Sequence, residues 1–393
     1  MALRLWPTRR AARWGVASVL GVVGMVAAVL GTVCVTSGCS SIGYLGQSAS
    51  GHIHLLAAAR PVKDAIADPA TPEALRKRLE LTQRMRAFAV TELKEPDNGS
   101  YRSYADLKRS AAVWNVVAAP ELSLTLQTWC FPVVGCVGYR GYYDLAAANE
   151  AAEPLKRAGL EVDVYEVPAY STLGWMNWIG GDPLLNTFVQ WPEGELSRLI
   201  FHELAHQVAY APGDTTFNES FATAVERIGS QRWLEANASA EVREKQALTE
   251  VRRHDFHVLV RAWRAKLDAL YRGDLPDADK RVQKATLYAG MRADYDALKR
   301  DRWNGYKGYD RWFATANNAA LGAQAAYDDQ VSAFERLFVA EGSDFDRFYA
   351  EVKRIAVLPK PERDAVMAKY REVPEPTPVV VPATPASAAP VSG

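Results

Sequence analysis

The segment from Phe201 to His206 constrains the fold more than any other, because it contains the sequence Phe-His-Glu-Leu-Ala-His. His202 and His206 are four positions apart, so a helix places both imidazoles on the same face, one turn from each other. Two imidazoles in this arrangement can bind one Zn²⁺, and Glu203 beside them can act as a general base on water. The segment therefore predicts a buried helix with a zinc site, in preference to a helix whose histidines contact unrelated partners.

A catalytic zinc site also needs a third protein ligand and an open position for water. Glu219 and Glu226 follow on a second predicted helix, after a turn at Pro212 and Gly213. We expect the two helices at about residues 193–210 and 217–236. Either carboxylate is a possible partner of the zinc site, and Zn²⁺ is the expected cofactor.

The motifs on these helices resemble those of the gluzincin metallopeptidases, especially the alanyl-aminopeptidase type. In that group an H-E-L-A-H-Q segment precedes an N-E-x-F-A segment whose glutamate binds zinc, and this chain has His202–Gln207 followed by Asn218–Ala222. The resemblance implies that Glu219 is the third ligand. Only 12 residues lie between His206 and Glu219, fewer than in that group, and no G-x-M-E-N segment lies upstream. Exopeptidase and endopeptidase action therefore both stay open.

Both glutamates have a structural alternative. Thr216 and Glu219 have the spacing of a capping box, in which Glu219 would bond back to the backbone at the helix start. Glu226 lies two turns, roughly 10 Å, beyond Glu219, so it cannot share the metal but can orient a ligand histidine from behind. The alternative for Glu226 is an exposed acid on a helix.

The chain as a whole is more similar to a bacterial family of exported proteins described as putative aminopeptidases. Besides the zinc motif, four segments carry this resemblance between about residues 100 and 334. They are Tyr139–Tyr143, Ala169–Trp175, Asp182–Leu185 and Asn317–Ala319. The resemblance implies a peptidase that acts on a peptide or protein substrate.

Peptide hydrolysis also needs a donor for the oxyanion of the transition state. Tyr327 resembles a position of the exported family, and Tyr170 lies in a predicted edge strand that precedes the zinc helix. Ordinary packing is the alternative for both side chains. We expect this strand, within Val162 to Trp175, to bind an extended peptide through its backbone.

The N-terminus has the composition of an export signal or a membrane anchor. Four arginines precede an uncharged apolar stretch from Trp14 to Gly38, and no acidic residue comes before it. Thr36 to Cys39 resembles a bacterial lipobox, which implies a lipid-anchored chain that begins at Cys39. A retained transmembrane anchor is the alternative, since the stretch is long enough to span a bilayer. We expect the periplasmic face of the bacterial envelope, with the outer membrane favoured by Ser40.

Export leaves Cys130 and Cys136 as the only further cysteines, and an oxidising compartment predicts a disulfide between them. Five residues separate the two, whereas zinc pairs usually have two to four. The disulfide is therefore favoured over a metal pair.

The predicted fold class is α+β and mostly helical: a gluzincin-like metallopeptidase with a small sheet before the active-site helix. The predicted divisions are a lipoprotein signal at residues 1–38, a tether at 39–60, a metallopeptidase domain at 61–372 and a disordered proline-rich tail at 373–393. The sequence has 46 basic and 46 acidic residues, so it lacks the basic excess of nucleic-acid-binding proteins. The alternative function is a non-catalytic envelope lipoprotein that uses the same fold as a binding or scaffold module.

Overall fold

The computed structural model describes residues 39–131, 135–169, 181–324 and 330–371. Helices predominate and the strands are short, which confirms the prediction of a mostly helical α+β protein. In chain order the elements are α1 (Cys39–Ala57), β1 (Ala59–Pro61), α2 (Val62–Ala67), α3 (Glu73–Thr91), β2 (Ser103–Ala105), β3 (Val113–Pro120), β4 (Trp129–Phe131), β5 (Gly135–Val137), β6 (Arg140–Tyr142), α4 (Leu145–Arg157), β7 (Leu160–Val167), β8 (Leu184–Leu185), α5 (Glu193–Ala205), α6 (Thr215–Asn237), α7 (Ala240–Arg272), α8 (Asp277–Asp301), α9 (Asp310–Thr315), α10 (Asn318–Ala323), α11 (Val331–Ala340), α12 (Phe345–Ala356) and α13 (Lys360–Ala368).

The chain divides into two compact units. The first unit comprises residues 1–83, 98–191 and 249–323, and the second comprises residues 84–97, 192–248 and 324–393. Several sequence predictions fall outside the described residues: the signal at 1–38, the tail at 373–393, and Tyr170 and Tyr327. Within the described part of the chain, no helix is both long and apolar enough to cross a membrane.

The first unit is organised around β3, the central strand of a sheet with the order β6-β3-β7. Trp114 and Val116 pack with α4, whereas Val117 and Ala119, on the opposite face, pack with α10. Helices on both faces explain why β3 is apolar at every position except Asn115 and the terminal Pro120, without the alternation of a half-buried strand. This strand was therefore not predicted from the sequence.

Strand β7 lies at the edge of this sheet and pairs antiparallel with β3. Its alternating valines gave a correct strand prediction. The free edge is covered in part, because the side chain of Asn317 donates to the carbonyl of Val162 at 3.0 Å. Binding of an extended peptide at this edge stays a prediction.

The segment predicted as a tether is helical over most of its length, since α1 covers Cys39–Ala57. The helix also packs against the sheet of the first unit. The rings of Tyr44 and Tyr142 lie 5.6 Å apart, and the Gln47 side chain donates to the carbonyl of Gly141 at 3.0 Å. These contacts give the Ser/Gly-rich segment a defined place that composition alone did not indicate.

Strands β4 and β5 pair antiparallel and bring Cys130 opposite Cys136. The structure joins the two residues as a disulfide. The bridge lies in the first unit.

The second unit packs α5 and α11 against α6. Its core is aromatic: the ring of Phe334 lies 5.0 Å from Phe217 and 5.8 Å from Phe221. Phe88, near the end of α3, packs edge-on against Trp233 at 5.4 Å. This core holds α5 and α6 in fixed positions, and these two helices carry the predicted zinc ligands.

Candidate metal centre

Helix α5 ends at Ala205, earlier than the predicted residue 210, and His206 is its C-terminal cap. Gly213, with φ of +76°, completes the reversal before α6 begins at Thr215. The Asn218 side chain accepts from the backbone NH of Ala211 at 2.7 Å and donates to its carbonyl at 2.9 Å. Asn218 is 3% exposed and thus clamps the connecting loop to α6, immediately beside Glu219.

The N-terminus of α6 is capped by Asp214, whose side chain accepts from the backbone NH of Phe217 at 3.2 Å. The capping role considered for Thr216 and Glu219 therefore belongs to Asp214. The carboxylate of Glu219 instead lies beside the two histidines of α5.

Three side chains with potential ligand atoms meet between α5 and α6. His202 Nε2 lies 3.1 Å from His206 Nε2 and 3.4 Å from Glu219 Oε2, and His206 Nε2 lies 3.7 Å from Glu219 Oε1. Tetrahedral zinc with bonds of 2.0–2.1 Å places its ligand atoms about 3.3 Å apart. The donor set and its spacing therefore fit a zinc ion. We call His202, His206, Glu219 and Glu226 the histidine cluster.

Glu226 contacts His202 at Nδ1, the ring nitrogen that does not face His206 and Glu219. Its Oε2 is 2.9 Å from His202 Nδ1, and its Oε1 accepts from the guanidinium of Arg198. The proton on Nδ1 of His202 leaves the lone pair on Nε2, which faces His206 and Glu219. The structure thus places Glu226 in the orienting position considered for it, and not as an exposed acid.

The side chains of the cluster, and Arg198 beside it, differ in how much of their surface is exposed. The exposed fraction of the side chain is 24% for Glu219, 15% for His202 and 5% for His206, and it is 8% for Arg198. Solvent therefore reaches the cluster mainly at Glu219, while the side chains of Arg198 and Glu226 are mostly buried.

The protein environment gives the ligands different protonation. Burial, and then the charge of His202, lower the pKa of His206 to about 4, so its imidazole is neutral at pH 7. Burial opposes the charged form of His202, but hydrogen bonds to Glu219 and Glu226 outweigh it and raise its pKa well above the usual value. Burial alone would raise the pKa of Glu219, but the two histidines outweigh burial and lower this pKa below its usual value. A neutral imidazole and a carboxylate are the forms that bind metal, so His206 and Glu219 have the required form, whereas His202 has to release a proton when a metal binds.

Glu203 follows His202 on α5 and is half-buried. Its negative charge is among those that raise the pKa of His202, so it lies within the electrostatic reach of the ligands. Among the described residues, no other group of three potential metal ligands converges in this way.

Sequence reasoning missed three groups near the cluster. Arg198 lies one turn before His202 on the same helix face, and a charged residue at that spacing on a buried helix was a usable signal. Glu95 is fully buried, and burial raises its pKa well above the usual value against the opposing charges of Arg86 and His202. The pKa of Tyr210, in the loop between α5 and α6, is raised by burial and then by the charge of Glu219.

The described residues thus define an α+β protein with a buried cluster of three potential metal ligands on two packed helices. A family model described as "Putative aminopeptidase" matches residues 43–367, which is most of the chain. The chain belongs to this family, whose name supports peptidase activity. No curated protein and no solved structure matches the chain significantly.

Proposed function

We propose that this protein is a zinc-dependent peptidase, in which His202, His206 and Glu219 hold the metal and Glu203 is the general base. Family membership supports a peptidase. The observation that carries the zinc proposal is the convergence of His202, His206 and Glu219, whose potential ligand atoms, one from each residue, all lie within 4.8 Å of one another.

The number of ligands favours a catalytic site over a structural one. Structural zinc sites use four protein ligands, whereas catalytic sites use three and keep one position for water or substrate. The group of potential ligands in the described part of the chain has three members, and the most exposed of them is Glu219. An open position beside Glu219 would face solvent, as a substrate requires.

The zinc ion, Glu203 and Glu226 have separate roles in the proposed reaction. Zn²⁺ bound at this position supplies Lewis-acid chemistry, acidifying a water ligand and polarising a peptide carbonyl. The Glu203 carboxylate accepts the proton of the attacking water and returns it to the leaving amine. Glu226 keeps the Nδ1 proton of His202 in place during the reaction.

The oxyanion donor is a tyrosine in this proposal, and three positions compete for the role: Tyr170, Tyr327 and Tyr210. Tyr210 is added to the two positions chosen from sequence because burial, and then the nearby charge of Glu219, raise the pKa of its phenol. Tyr→Phe substitution at the true donor should lower kcat about 100- to 1,000-fold while zinc content stays unchanged. Substitution at the other two should leave kcat close to that of the parent.

The deciding experiment measures the zinc content of the purified protein and its cleavage of a peptide library, before and after chelation. Glu203→Gln should keep one zinc per chain and abolish cleavage, because an amide cannot accept the proton. Glu235→Gln, which changes an exposed acid on α6, is the matched control and should retain activity. Peptides with free and acetylated amino termini separate exopeptidase from endopeptidase action.

The competing function is a non-catalytic binding or scaffold module of the envelope. It is favoured if the parent protein cleaves no peptide of a broad library, or if Glu203→Gln cleaves as fast as the parent. A structural zinc site has no need for a general base, so Glu203 beside the first histidine argues against this alternative.

We also propose that the mature chain is anchored to the envelope by lipid on Cys39. The support is the lipobox-like sequence from Thr36 to Cys39. Mass spectrometry of the native N-terminus tests it, with a lipid-modified Cys39 as the expected first residue. A chain that still begins near Met1, with Cys39 unmodified, would indicate a transmembrane anchor instead.

A further inference from the structure

Arg198 is a buried cation directly behind the histidine cluster. It lies on α5, four residues before His202, and its side chain is 8% exposed. A guanidinium buried to this extent requires a charged partner, since an unpaired buried charge costs several kcal/mol. The partner is Glu226 on α6, whose Oε1 accepts from the Arg198 guanidinium.

Glu226 uses its two oxygens for two different partners. Oε1 bonds to Arg198, and Oε2 lies 2.9 Å from Nδ1 of His202. The carboxylate therefore connects a permanent positive charge to the imidazole of a proposed zinc ligand. Its side chain is 13% exposed, so water has little access to replace either partner.

We propose that Arg198 is a positioning residue of the metal site, acting on His202 through Glu226. By holding the Glu226 carboxylate in a fixed orientation, Arg198 keeps the proton of His202 on Nδ1 and the lone pair on Nε2. The Nε2 atom is the one that meets His206 and Glu219. Arg198 itself contacts neither metal nor substrate in this role, which rests on the proposed zinc site.

A purely structural ion pair between α5 and α6 would show the same contact but a different response to substitution. Loss of a structural pair lowers the free energy of unfolding and leaves the zinc affinity of the folded protein unchanged. Loss of a positioning residue weakens zinc binding by the 10- to 100-fold typical of groups that orient metal ligands. Zinc affinity of the folded protein therefore separates the two roles.

Arg227 provides a matched control. It follows Glu226 in sequence and carries the same positive charge as Arg198. Its ion pair, however, is with Glu335 at 3.7 Å, and its side chain is 36% exposed. Removal of Arg227 takes away one positive charge near the cluster without touching the bond between Arg198 and Glu226. A half-exposed pair of this kind contributes little.

The experiment compares the parent with Arg198→Met, Arg198→Lys and Arg227→Met in the full-length protein. Zinc dissociation constants come from competition with a chelator at fixed pH, and circular dichroism establishes that each variant is folded. Arg198→Met should weaken zinc binding about 10- to 100-fold, and Arg198→Lys should recover part of the loss because it restores the charge but not the planar guanidinium. Arg227→Met should bind zinc with the affinity of the parent.

A second measurement reports on the histidine itself. Long-range nitrogen–proton NMR spectra of the zinc-loaded parent should show His202 with its proton on Nδ1. In Arg198→Met this signal should shift or broaden, because the carboxylate that fixes the proton is no longer held. The signal should be unchanged in Arg227→Met.

Folded Arg198→Met with the zinc affinity of the parent overturns the inference and leaves the proposed peptidase intact. If Arg198→Met does not fold, a double-mutant cycle of Arg198→Lys with Glu226→Gln decides. Little further loss of zinc affinity in the double variant supports action through Glu226, whereas full additivity overturns it. A parent protein that binds no zinc would defeat the proposed function itself, and this inference with it.

Discussion

Two buried polar clusters of this protein differ in how completely their hydrogen bonds are satisfied. In the first unit, Asn318 is fully buried, and its Oδ1 accepts from the hydroxyls of Tyr271 and Tyr288 at 2.8 Å each. Its Nδ2 donates to the carbonyls of Pro120 and Glu121 at 3.1 and 2.7 Å. We call these five residues the Asn318 cluster, and every polar atom of the Asn318 side chain has a complementary partner.

The histidine cluster of the second unit has the opposite arrangement. The Nε2 atoms of His202 and His206 lie 3.1 Å apart, with a Glu219 oxygen close to each of them. Without a metal, a proton on His202 that is shared with Glu219 stabilises this arrangement, and a bound cation would take the place of that proton. The Asn318 cluster holds elements together, whereas the side chains of the histidine cluster are placed as the proposed zinc site requires.

The largest expected effect is the loss of zinc when a ligand is removed. His206→Ala and Glu219→Ala should each weaken zinc binding by more than about 100-fold, beyond the loss expected for Glu226→Ala, because three ligands are the minimum of a catalytic site. Equilibrium dialysis with zinc measures this, with Asn318→Ala as the control that retains zinc. Zinc retained in Glu219→Ala but lost in Glu226→Ala would mean that Glu226 is the ligand.

Substitution in the Asn318 cluster should instead affect stability. Asn318→Ala leaves two tyrosine hydroxyls and two carbonyls without their partner, and each unsatisfied buried group costs about 1–3 kcal/mol, less where water can enter. We expect the free energy of unfolding in urea to fall by about 3 kcal/mol. An equal fall in His206→Ala, measured without zinc, would contradict the contrast between the clusters.

A smaller effect, dependent on pH, is expected at Asp214. Burial raises the pKa of its carboxyl, but the bonds from Phe217, Arg363 and Lys360 outweigh burial and lower the pKa below its usual value. The ion pair therefore stabilises the fold above about pH 4, and this stabilisation is lost as the pH falls through the lowered pKa of the folded state.

Asp214→Asn keeps the helix-capping oxygen but removes the charge that Arg363 contacts at 2.9 Å. We expect a loss of about 2–3 kcal/mol at pH 7 that shrinks toward pH 3. Urea unfolding at several pH values measures it, with Glu362→Gln as the exposed control. A loss of stability that does not change with pH would assign the effect to packing.

The smallest expected effect concerns the disulfide. Cys130→Ser with Cys136→Ser opens a short loop and should cost at most about 2 kcal/mol, with no change in zinc affinity. Thermal unfolding measures the cost. If thiol labelling of the unreduced, denatured protein modifies both cysteines, the bridge is absent.

Elements with a local signal were predictable from sequence. The strand predicted within Val162 to Trp175 is β7, Leu160–Val167, because apolar and polar residues alternate along it. Strand β3 was missed because burial on both faces removes the alternation. The end of α5 was placed five residues late, because the loop is fixed by Asn218 binding the backbone of Ala211, a contact between residues seven positions apart.

The sequence by itself determined which side chains can bind a metal, because H-E-x-x-H on a helix fixes the relation of His202, Glu203 and His206 through helical geometry alone. It left Glu219 and Glu226 each with two roles, since either role is compatible with their positions on one helix. The tertiary structure provides the observation that favours one role for each, because α5 packs against α6 with Glu219 near the Nε2 atoms and Glu226 near Nδ1. The pairing of Arg198 with Glu226 also depends on the tertiary structure, because the two residues are 28 positions apart in sequence.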